Sequence, residues 1–314
     1  MLTLLGLILL WGAVVSLIPM RIRGGQGRHG KRLTTTLAGC IVLFVAVFIT
    51  VPSSHADTPT PAPTEAPVLT EIPTAESGQT VAPVSDEQLD EGYLDAWFDD
   101  SLMIGDSIAE GLNRYVAKER NDGHPCLGSM RIVGTSGFTL KIALAAEKKE
   151  THGQVLFRSN GRTISDMVEL TGAKSLFLMI GVRDIEYYSA EKMIEVYDEL
   201  ISIIKANHPD LRIYIHSFMP TLKSFAKSVN VTSEMNKAAN VLLRAFCEEK
   251  GYTYLELADL VRDEEGYLKW EYSWKDYSFH PNDLARAIWV RLLRSCARDE
   301  YYAGIWKLEE TAND

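Results

Sequence analysis

The sequence predicts an α/β domain over residues 92–314, three layers thick (α/β/α), around a parallel sheet of about five strands. Two observations predict it. Short apolar runs alternate with longer stretches of helical periodicity from residue 92 onward. The composition, 46% hydrophobic and 24% charged, is that of a chain with a packed core. In order, 101–104 (SLMI) is the first strand, followed by a helix over 108–120. Residues 131–133 are the second strand, leading to a helix over 139–150. The third, 175–180 (SLFLMI), precedes a helix over 189–206. The fourth, 212–217 (RIYIHS), precedes a helix over 232–250, and 253–257 (TYLEL) is the fifth. A last helix runs from about Asn282 to Cys296.

The chain ahead of this domain divides by charge. Residues 1–20 and 33–51 carry no charge, and each approaches the roughly 20 residues that cross a bilayer as a helix. The loop between them, 21–32, holds Arg21, Arg23, Arg28, Lys31 and Arg32 and no acid. The positive-inside rule keeps such a loop in the cytoplasm, so the chain past residue 52 emerges on the outer side. Two readings stand. Either both segments span and anchor the protein in the cell membrane, or translation starts at Met20 and one signal segment is cleaved after Ala56. The long apolar run favours the anchor. Residues 37–40 (LAGC) precede the apolar stretch, which argues against a lipoprotein box. Residues 25–31 have phosphate-loop spacing, but Arg32 stands where Ser or Thr is needed. Residues 52–91 hold seven of the twelve prolines, and 57–91 hold eight acids and no base. That composition buries too little apolar surface to order itself and predicts a disordered spacer.

Ligands of parallel sheets bind at the carboxyl ends of the strands, so the loops there carry the chemistry. Gly105-Asp106-Ser107 follows the first strand. A Ser at a strand-to-helix turn is exposed at the sheet's edge, where the helix N-terminus favours developing negative charge. Alone, the triplet reads as an ordinary Ser N-cap. Gly134-Thr135-Ser136-Gly137 follows the second strand and either offers an N–H to an oxyanion or merely turns the chain. Gly181-Val182-Arg183-Asp184 follows the third. Of seven histidines, only His280 introduces the final helix with an acid nearby; His216 reads as packed at a strand end. There is no C-x-x-C pair and no H-E-x-x-H, so neither a metal site nor a cofactor is predicted. Cys126, Cys247 and Cys296 read as buried thiols. For 163–170 and 270–274, ordinary packing outweighs a place beside the substrate.

In combination these blocks resemble the SGNH hydrolases, also called the GDSL family. That family carries G-D-S, a Gly, G-x-N-D and D-x-x-H in the same chain order. The resemblance covers about residues 95–300. It implies a flavodoxin-like sheet, with Ser107 as nucleophile and His280 as general base. The N–H groups of Ser107 and Gly137 would form an oxyanion hole, with Gly181, Arg183 and Asp184 beside the oxyanion or substrate. Two positions depart from the pattern. Arg183 stands where the family has Asn; it donates to an oxyanion, binds an anionic substrate, or folds away. Tyr277 stands where the family has Asp. Asp276, one residue further from His280, is the candidate third member; otherwise a backbone carbonyl orients a Ser–His dyad.

The implied activity is that of an exported serine esterase or O-acyltransferase, forming an acyl-enzyme on Ser107. Its expected partner is a small acyl ester, on a cell-surface glycan or peptidoglycan. The alternative is a degenerate domain of the same fold that binds a surface glycan without turnover. A net charge of −10 excludes a general nucleic-acid binder.

Overall fold

The computed structural model describes residues 83–150, 161–274 and 279–308. Both apolar segments, the basic loop and residues 52–82 of the expected spacer lie outside the described residues. Among the described residues, no helix is long and apolar enough to cross a membrane.

Five strands, β1 (Ser101–Gly105), β2 (Arg131–Gly134), β3 (Ser175–Met179), β4 (Arg212–His216) and β5 (Thr253–Leu255), pair in parallel. Their order is β2-β1-β3-β4-β5, the predicted three-layer class. The helices are α1 (Asp86–Asp90), α2 (Ser107–Asn121), α3 (Leu140–Glu147), α4 (Ile164–Thr171) and α5 (Ala190–Asn207). After these come α6 (Lys223–Val229), α7 (Ser233–Lys250), α8 (Ala258–Val261) and α9 (Asp283–Tyr302). Strand side chains alternate between two apolar cores. Leu102, Ile104, Leu176, Leu178, Ile213 and Ile215 pack with α3, α4, α5 and α7. Met103, Phe177, Met179 and Tyr214 pack with α1, α2 and α9 on the other face. Burial on both faces is why these strands read as unbroken apolar runs.

The strand order reverses between β1 and β3. α2 returns to β2 over one face, and the chain then crosses to β3 through α3 and α4 on the other. The carboxyl ends of β1 and β3 therefore diverge around a crevice, the place where open α/β sheets hold their ligands.

The structure corrects the spacer's end. Residues 86–90 form a helix, not an extended chain. Ser85 and Gln88 make a capping box, Oγ accepting from Gln88 N–H at 3.1 Å and Gln88 Oε1 from Ser85 N–H at 3.0 Å. Leu89 is 1% exposed, and Asp90 pairs with Arg291 of α9 at 2.7 Å. The acids that suggested a solvated spacer are here first-turn acids and partners of a basic α9 face. Just beyond, Asp95 takes two hydrogen bonds from Arg294, at 2.8 and 2.9 Å, with both side chains buried. Residues 163–170 are structural: Thr163 caps α4, which buries Ile164, Met167 and Val168.

Candidate active site

Ser107 is the first residue of α2, where a backbone N–H has no partner within the helix. The cap is not Ser107 but Asp106, whose Oδ1 accepts from Ile108 N–H at 2.8 Å. The Ser107 hydroxyl is thereby left for other work. Its Oγ lies 3.0 Å from Nε2 of His280. Asp106 itself is 1% exposed. Burial pushes its carboxyl up to about 7, and the nearby Asp184 charge adds to this; the Ile108 N–H opposes it. α2 rides directly on the end of β2: a Cβ on Gly134 would stand 2.0 Å from Glu110 N.

The loop after β2 is tied to the β1 turn by Thr135 N–H donating to Gly105 O at 3.0 Å. Gly137 is exposed with φ +79°, a conformation that favours glycine, and Phe138 N–H closes the turn on Thr135 O. Asp184 was expected at the oxyanion or substrate; the structure turns it away from the cleft. It is 3% exposed, and its carboxylate accepts from the Leu140 N–H at 3.0 Å and from the Lys141 N–H. It thus braces the start of α3, and with it the Gly137 turn, against the loop after β3. Burial raises its pKa. Gly181 is likewise a packing residue, with φ +114° and space for a Cβ closed by Phe218 at 2.5 Å. Arg183 is exposed, and its charge reaches both Asp106 and Asp184, lowering the pKa of each.

His280 and Pro281 are tied to Ser273 and Trp274. Trp274 N–H donates to His280 O at 3.1 Å, and Ser273 bridges Pro281 in antiparallel fashion. Asn282 caps α9, accepting from Ala285 N–H, and its amide donates to Glu271 O and Ser273 O at 2.7 and 3.1 Å. Asp276 and Tyr277 lie outside the described residues. Trp274 is half exposed, its ring 5.3 Å from the buried Arg286 guanidinium. Sequence reasoning missed Asp106 and Asn282. Their signal was a cap-type residue immediately before a helix, at each end of the pair they support.

His216 is packed at the end of β4, as read from the sequence, with Nδ1 3.1 Å from Leu178 O. Cys126, Cys247 and Cys296 are unpaired thiols, and burial pushes them up to about 11, 12 and 12.

The GDSL-like Lipase/Acylhydrolase family model matches residues 103–288. Among solved structures, a Bacteroides fragilis protein assigned as an acylhydrolase shares 14% identity at a TM-score of 0.50, covering 64% of this chain and 87% of its own. A GDSL-like lipase from Bacteroides thetaiotaomicron shares 15% at a TM-score of 0.47, covering 63% and 87%. At 14% identity the likeness to the Bacteroides fragilis structure is one of fold. A search of curated proteins gives no match. The family model takes in more than half of the sequence, from within β1 to α9 and including both Ser107 and His280, and on that ground the chain belongs to the GDSL-like lipase/acylhydrolase family.

Proposed function

We propose that this protein is a serine esterase or O-acyltransferase that works outside the cytoplasm on small acyl esters. The observation that carries the reading is the 3.0 Å approach of Ser107 Oγ to His280 Nε2 at the N-terminus of a long helix. His280 takes the hydroxyl proton as Oγ bonds to the ester carbonyl carbon. The oxyanion that forms meets the Ser107 and Gly137 N–H groups and the Arg183 guanidinium, within the field of the helix N-terminus. As the carbon–oxygen ester bond breaks, His280 returns the proton to the leaving alcohol. Water or a second hydroxyl then gives its proton to His280, attacks the acyl-enzyme, and frees Ser107. Asp276 is the candidate to orient His280, with a backbone carbonyl as the alternative.

The charge-free segments around the basic loop support an outer location, and that location favours cell-surface glycans or peptidoglycan as the ester's carrier. A binding domain without turnover has no use for a Ser–His pair at hydrogen-bond distance, which weighs against the degenerate alternative. The test is p-nitrophenyl acetate turnover with fluorophosphonate labelling. Ser107→Ala should reduce turnover to background and abolish labelling, with an unchanged melting temperature because no core contact is lost. A variant that keeps wild-type turnover removes Ser107 from the mechanism.

A further inference from the structure

We infer that Arg286 is a positioning residue for the Ser107–His280 pair, braced on the nucleophile's helix on one side and on the Trp274 ring on the other; the inference rests on the esterase reading above. Ser107 and His280 lie 173 residues apart in sequence, so their 3.0 Å approach requires α2 to be fixed against the chain around His280. Arg286, the fourth residue of α9, touches both. Its guanidinium lies against Gly111, where a Cβ would stand 2.5 Å from Nη2, 3.1 Å from Cζ and 3.2 Å from Nε. Gly111 is four residues on from Ser107, one turn along the same face of α2. On the other side, the guanidinium carbon is 5.3 Å from the centre of the Trp274 ring, within reach of a cation–π attraction. The backbone of Trp274 holds the base: its N–H donates to His280 O at 3.1 Å, and Ser273 bridges Pro281 beside it.

Stability alone does not call for an arginine here. Arg286 is 4% exposed, and its carboxylate partner, Asp283 at 2.7 Å, is itself half exposed. Among the described residues its buried Nε has no hydrogen-bond partner. A buried cation with a donor unmatched is less favourable than an apolar side chain of similar length. Gly111 is the complementary oddity. Glycine inside a helix is unfavourable relative to alanine, and here it makes room for the guanidinium. Each residue gives up stability for one geometry, and that geometry joins the helix of Ser107 to the backbone that holds His280.

The experiment uses the full-length chain and p-nitrophenyl acetate, and reads kcat, KM and the rate of fluorophosphonate labelling of Ser107, all well below each variant's melting temperature. Arg286→Met keeps the length of the side chain and removes the cation. It should lower kcat and the labelling rate together by about tenfold or more, the scale of a misplaced general base, with KM held within about twofold. Trp274→Leu removes the ring from a half-exposed position, so it empties no core and keeps the test alive if the first variant does not fold. It should show the same split between kcat and KM. Gly111→Ala displaces the guanidinium without changing its charge, and should do likewise. The double variant Arg286→Met with Trp274→Leu should be no slower than the slower single, because both break one link. Losses that multiply in the double variant, or wild-type rates in Trp274→Leu, would overturn the route through Trp274. Wild-type kcat and labelling in Arg286→Met, or a rise in KM at constant kcat, would overturn the positioning role while leaving the esterase reading intact. No turnover and no labelling of Ser107 in the wild type would overturn the esterase reading, and the inference with it.

Discussion

Arg183 stands where the resemblance to the family implies an Asn, and its surroundings bear on the oxyanion role proposed for it. Asp184 beside it is buried and committed to the N–H groups of Leu140 and Lys141, so it does not neutralise charge at the cleft surface. Arg183 is exposed, and its charge acts on Asp106, the residue before Ser107. A guanidinium so placed adds to the helix N-terminus in favouring negative charge near Ser107. Losing one oxyanion donor typically costs about 10²–10³ in kcat. Because Arg183 is open to water, Arg183→Ala should fall at the lower end, about 10²-fold in kcat with KM little changed. Arg183→Asn, which restores the family's donor, should recover part of that loss. A rise in KM with constant kcat would make Arg183 a substrate clamp instead. Unchanged kinetics in both variants would place it outside the reaction.

At the level of elements, what sequence could reveal followed from periodicity and what it could not followed from partners. The central strands β1 and β3 were legible because both their faces are buried, so SLMI and SLFLMI stand out against polar loops. The pairing of Ser107 with His280 was expected only from the blocks in combination and their resemblance to a family, since Gly105-Asp106-Ser107 alone reads as a helix cap; the structure brings the two side chains to 3.0 Å. α1 was not legible. Its five residues are too few for a period, and its acids look solvated until Arg291 of α9 is placed beside Asp90. The brace made by Asp184 was hidden for the same reason: its partners, Leu140 and Lys141, lie more than forty residues away in sequence. If α1 is an integral part of the domain, Leu89→Ala should destabilise the chain by about 2 kcal/mol, the low end for a buried leucine because the helix is peripheral. Calorimetry should then show a melting temperature about 4–8 °C lower, with kcat unchanged. An unaltered melting temperature would return residues 86–90 to the spacer.

Across the whole molecule, two buried groups pull stability in opposite directions with pH. Asp106 rises from 3.8 to about 7 on folding, because burial disfavours its charge. The folded state therefore binds its proton more tightly than the unfolded state does. That contribution is fully present below pH 3.8 and is lost as pH rises through about 7. His216 falls from 6.5 to about 4, again through burial, between Trp289 and Phe177. Its contribution is present above pH 6.5 and is lost as pH falls through about 4. Between these limits the two slopes largely cancel, and the wild type should hold a nearly constant stability from these groups. Asp106→Asn breaks the balance cleanly, since an amide oxygen still caps α2 and carries no titratable proton. Asp184, raised in the same direction, is common to both proteins, so only its coupling to Asp106 enters their difference. The variant should gain on the wild type as pH rises through the window between about 4 and 7, by up to about 1.4 kcal/mol per pH unit. His216→Gln should show the reverse, gaining on the wild type as pH falls from 6.5 towards 4. Urea titrations at half-unit steps measure both differences. Parallel curves for Asp106→Asn and wild type across that window would mean that Asp106 is charged in the folded state, with Arg183 and the Ile108 N–H outweighing its burial.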